Sequence, residues 1–161
     1  MTTTLHPNAS SVSLAYVPIS HDIAERARRT RRDDFGHALD IRKEFGPCRV
    51  CLRVSTEPED FLLMSYRPLR DSGPYAEIGP VFIHARECAP YATPEIFPAD
   101  FACRDLVLRA YNAAGEIVDA AVAKAGEHRA LAASFLSDPH IEEVHVRHTS
   151  YTCYDFKILR M

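Results

Sequence analysis

The sequence predicts an α+β fold: a single domain with a mostly antiparallel sheet of six to eight strands and two helices packed mainly on one side. Three observations lead there. Segments 48–54, 105–111 and 141–148 alternate apolar and polar residues with period two, as half-buried strands do. Only 22–32 and 126–136 carry helical spacing. Most neighbouring segments are joined by short, turn-forming connections, which suits antiparallel pairing better than βαβ crossovers.

The elements follow in order. Residues 1–11, with Thr2, Thr3, Thr4, Asn8, Ser10 and Ser11, are small and polar and read as a frayed tail, leaving 12–161 as the domain. A short strand over 12–17 precedes Ser20, a suitable N-cap, with Asp22 and Glu25 complementing the helix dipole. The helix over 22–32 carries Arg26, Arg28, Arg29, Arg31 and Arg32, read as a solvated face. Residues 33–47 form a long irregular connection punctuated by Gly36, Gly46 and Pro47. Strands are expected over 48–54, 61–66 and 81–85. Pro90, Pro94 and Pro98 argue against regular structure over 88–100. Asn112-Ala113-Ala114-Gly115 joins strands 105–111 and 117–123 as a hairpin. A helix over 126–136, ended by Asp138-Pro139, leads to a last strand pair, 141–148 and 153–159.

Composition narrows the function classes. The chain has 161 residues, 47% of them hydrophobic, so it can bury a core without a metal or disulfide staple. A net charge of -3 argues against a nucleic-acid binder, whose footprint is usually basic. No stretch approaches the roughly 20 apolar residues of a membrane span. No basic start with an apolar run opens the chain, so a cytoplasmic location is expected, and a reducing compartment would keep the five cysteines as thiols. The oligomeric state is open; a homodimer is compatible.

Four motifs stand out: Arg32-Asp33-Asp34-Phe35-Gly36-His37; Gly46-Pro47-Cys48-Arg49 with Cys51-Leu52; Gly79-Pro80-Val81-Phe82-Ile83-His84; and His145-Val146-Arg147 followed by Cys153-Tyr154. In this order and spacing the chain resembles the bacterial family of unknown function DUF1203, from about Leu14 onward. Where the family usually has Asn and then Gly-Cys-Tyr, this chain has His148 and Thr152-Cys153-Tyr154. The resemblance implies a compact bacterial protein and names no activity, substrate or cofactor.

The chemistry-bearing residues are thiols, imidazoles and arginines. A redox Cys-x-x-Cys needs both thiols on one turn. In a strand, Cys48 and Cys51 would point to opposite faces, so redox chemistry requires the strand to begin only after Cys51. The zinc candidates are Cys48, Cys51, Cys88, Cys103, Cys153, His84, His145 and His148. His145 and His148 diverge in a strand, and His84 and Cys88 meet only if the chain turns between them, so no metal is expected. A Cys–His nucleophile from Cys153 or Cys48 with His145 or His84 has no supporting local signature. Asp33, Asp34 and His37 could do acid–base chemistry or order a loop through Asp–Arg pairs.

The preferred site is cationic. By strand parity Arg49 and Arg53 share one face, Arg109 and Tyr111 another, and His145 and Arg147 a third. With those faces aligned, Arg49, Arg109, His145 and Arg147 would contact a small anionic metabolite, phosphate- or carboxylate-bearing, with Tyr75 and His84 lining the site. Should the site be catalytic, His84 or His145 is the general base. Ordinary wet-face alternation accounts for the same pattern, and coverage decides: covered cations need a partner, open ones are surface. Two other classes stay open, an interaction or assembly domain and a thiol- or metal-dependent enzyme.

Overall fold

The computed structural model describes residues 12–70 and 73–161; the tail expected over 1–11 lies outside the described residues. The elements are β1 (Leu14–Val17), α1 (His21–Thr30), β2 (Ile41–Glu44), β3 (Glu59–Tyr66), β4 (Gly79–His84), α2 (Ala99–Ala102), β5 (Leu106–Asn112), β6 (Ile117–Ala123), α3 (His128–Leu136), β7 (Ile141–His148) and β8 (Tyr154–Arg160). They form two antiparallel sheets, a five-stranded one in the order β1-β8-β7-β5-β6 and a three-stranded one in the order β2-β3-β4. The α+β, mostly antiparallel character stands. One continuous sheet with two helices on one side does not, because β3 pairs with β2 and β4 and never with the larger sheet.

Each sheet has its own core. Leu106, Leu108 and Ala110 of β5, Val144 and Val146 of β7, and Phe156 and Ile158 of β8 bury one face of the large sheet against Phe135 and Leu136 of α3. Phe61, Leu62 and Met64 of β3 and Val81 and Ile83 of β4 pack with Ala24 and Ala27 of α1. The helices therefore serve different sheets. Helix α1 is capped as read from sequence: Ser20 accepts a bond from the Ile23 amide at 3.4 Å, and Arg31 closes it in the left-handed region at φ 53.

The expected strand over 48–54 is a tight loop. The Leu52 amide donates to the Cys48 carbonyl at 2.9 Å, Leu52 takes a positive φ of 55, and a lone bridge between Pro47 and Val54 closes the base. The alternation that suggested a strand is real but has another cause. Cys48 and Val50 sink into the small core and Leu52 into the large one, so the loop is a wedge between the two. Two elements lacked a signal. Strand β2 is exposed at all four positions and forms only by pairing with β3. Helix α2 is a single turn after Pro98.

Candidate functional site: a cluster of three thiols and an imidazole

The wedge loop determines where two thiols go. Because 48–52 turn instead of extending, Cys48 and Cys51 present their sulfurs to the same side. The Arg49 amide bonds the Phe82 carbonyl at 3.0 Å, which docks the loop on β4. His84 ends β4, the chain bends after it, and Cys88 returns. The ligand atoms of Cys48, Cys51, His84 and Cys88 all lie within 4.8 Å of one another. Cys48 Sγ is 3.8 Å from Cys88 Sγ, and Cys51 Sγ is 3.6 Å from His84 Nδ1.

Those spacings match a metal tetrahedron. Zinc bonds of about 2.3 Å to sulfur and about 2.05 Å to nitrogen give tetrahedral edges of about 3.8 Å for S···S and about 3.5 Å for S···N. The surroundings fit as well. His84 Nε2 lies 2.8 Å from Glu59 Oε2, so Nε2–H donates to the carboxylate and the Nδ1 lone pair is left aimed at the sulfurs. Phe61 stacks on the imidazole with centroids 4.9 Å apart. The His84 amide donates to Cys48 Sγ at 3.3 Å, and Arg28 Nη2 donates to Cys88 Sγ at 3.3 Å. Three thiolates and one dication leave one negative charge; Arg28, which also pairs with Glu25 at 2.8 Å, lies beside it. With protons alone, Cys48 is drawn well below the usual thiol range by bonds from Cys51 and Cys88. Cys51 is pushed up because it keeps the proton it shares with Cys48. The bonds to Cys48 and Cys88 raise His84 to about 10, against its burial.

The residues expected to hold an anion divide into groups. Strand parity is realised: Arg109 pairs directly with His145, and Val107 with Arg147, so Arg109, Tyr111, His145 and Arg147 share a face. That face is covered, and its cations already have partners. Glu77, on the segment before β4, lies 2.8 Å from both Arg109 and Arg147. His145 is fully buried, with Nε2 2.8 Å from Glu143 and its ring 4.3 Å from that of Tyr111; burial holds its pKa below 6.5. Arg49 sits apart, on the wedge loop, against Asp155 at 3.1 Å and the Tyr154 carbonyl at 2.9 Å. Tyr75 is 44% exposed. His84 belongs to the thiol cluster.

Asp33, Asp34 and His37 order a loop. Asp33 accepts from the amides of Phe35, His37 and Ser65, and Asp34 takes a two-pronged bond from Arg26. Sequence reasoning missed Arg28, placed on a solvated face yet only 8% exposed in its side chain, and Glu59. A signal for the cluster was present: Cys48-x₂-Cys51 and His84-x₃-Cys88 are two short paired spacings, the pattern structural zinc sites use.

A two-sheet antiparallel α+β protein with a Cys₃His cluster wedged beside its smaller sheet is the class that the fold and site define. The pattern of DUF1203, a protein family of unknown function, matches residues 46–160, and the chain belongs to that family. The matched region holds all four clustered residues and excludes the motif at 32–37. No curated protein and no solved structure matches the chain.

Proposed function

We propose that this chain is a zinc protein of the bacterial cytoplasm, in which Cys48, Cys51, His84 and Cys88 hold one Zn²⁺ as a structural centre. The observation that carries the reading is that four ligand atoms lie within 4.8 Å of one another, with an S···S distance of 3.8 Å and an S···N distance of 3.6 Å close to the edges of a zinc tetrahedron. Four protein ligands complete zinc's preferred coordination and leave no position for substrate, so the ion's task is to fix the wedge loop to the end of β4. A reducing compartment suits this use, since zinc is held by thiolates.

An anion on the sheet face is the weaker reading. Arg109, His145 and Arg147 do share that face, but an added anion would have to displace Glu77 and Glu143.

The test is metal analysis of protein purified under reducing conditions without added chelator. About one zinc per chain is expected, and Cys48→Ser should lose it. Cobalt exchanged into the site should show the intense visible absorption of a tetrahedral thiolate complex. Protein that carries no metal, takes up no cobalt, and leaves all its cysteines equally open to a thiol reagent with or without added zinc would end the reading.

A further inference from the structure

A second feature lies outside the thiol cluster. A cleft of about 550 Å³ runs along the seam between the two sheets. Val54 of the wedge loop, with Leu63, Val81 and Phe82 of the small sheet, gives it apolar walls; the β7–β8 hairpin brings His148, and Arg104 reaches in before β5. This size and this mixture of apolar wall with a few polar groups are those of small-molecule sites.

The charges in the cleft do not balance. Arg49 is matched by Asp155 at 3.1 Å, and His148 Nδ1 sits 3.3 Å from the same carboxylate. Arg104 has no such partner. Among the described residues its guanidinium makes no ion pair, and its Nε is buried with no hydrogen-bond partner. A partly desolvated arginine without a counter-ion is costly, and an anion from outside would complete it. One unmatched positive charge beside apolar walls defines the ligand: one negative charge on an apolar body.

We propose that this seam binds a small amphipathic carboxylate, its chain against Leu63, Val81 and Phe82 and its headgroup on Arg104. Of the six site residues read from sequence only Arg49 lines this cleft, and there its charge is already matched. The proposal does not depend on zinc, although the wedge loop that supplies Val54 is the one the metal would hold.

The test is calorimetric titration of the full chain, as purified, with octanoate and with octanol. A hydrogen bond to a charged group contributes about 1.5–3 kcal/mol, so octanoate should bind about tenfold tighter or more. Arg104→Met should erase that preference while octanol binding stays, and Leu63→Trp, which fills the cleft from a half-buried position, should abolish both. Circular dichroism of each variant confirms the fold. Equal affinity for acid and alcohol, a preference that survives Arg104→Met, or no binding of either ligand would overturn the proposal.

Discussion

Glu143 is a carboxylate whose ionisation supports the large sheet. It is 17% exposed in its side chain and lies 2.8 Å from both His145 Nε2 and Lys157 Nζ. Burial alone would raise its pKa, but the bonds from His145 and Lys157 outweigh it and lower the value from 4.5 to about 2. A carboxylate with a depressed folded-state pKa adds stability that is complete above about 4.5 and fades as the pH falls toward 2. Full linkage caps this at about 3 kcal/mol, and partial screening leaves on the order of 1–3 kcal/mol. His145 acts in the same direction, since its pKa lies below 6.5 and the unfolded chain takes up that proton first. Urea unfolding at a series of pH values should therefore show stability falling below neutrality and more steeply below about 4.5, and Glu143→Gln should flatten the steeper limb. An unchanged limb in Glu143→Gln would assign the acid loss elsewhere.

At the scale of elements, the wedge loop combines its own turn with ties to distant segments. Its backbone bonds reach outward: the Tyr91 amide to the Val50 carbonyl at 2.9 Å and the Ile19 amide to the Arg49 carbonyl at 2.8 Å, besides the Leu52 turn. A bound ion would join this loop to β4 and to Cys88 at once. Removing zinc with a chelator should speed hydrogen exchange at the amides of Leu52 and Tyr91, as local opening without global unfolding does. The His145 amide, deep in the large sheet, should keep its protection. Uniform loss across both sheets, or no change at Leu52, would show that the ion does not hold this loop. The same loop shows why periodicity misleads here. Cys48, Val50 and Leu52 alternate because they enter two cores, and the pattern reads the same whether the backbone extends or turns. Strand β2 left no trace because all four of its side chains face water. Strands β5 and β7 of the large sheet were legible because a buried apolar face alternates with a polar one.

At the scale of the molecule, the two sheets meet across the Arg49–Asp155 pair, one partner on the wedge loop and the other on β8. Arg49 is 4% exposed and Asp155 0%. Breaking a buried pair from one side leaves the other charge desolvated, so Arg49→Met should destabilise by about 3–5 kcal/mol, and adding Asp155→Leu should restore much of the loss. Equilibrium denaturation measures both; an additive double variant would mean that the pair does not couple the sheets. The amino-acid sequence by itself determined the α+β class, most strands, both longer helices, and which of Arg109, Tyr111, His145 and Arg147 share a face; its motifs carried the family. The structural part follows from local periodicity, and periodicity survives any tertiary arrangement that buries the same side. Only the tertiary structure decided that the strands split into two sheets, that Glu77 pairs with Arg109 and Arg147 while Arg49 sits apart, and that Cys48, Cys51, His84 and Cys88 converge. Each of those depends on where a loop docks, and docking is fixed by contacts between residues far apart in the chain, such as Arg28 with Cys88 and Arg49 with Tyr154.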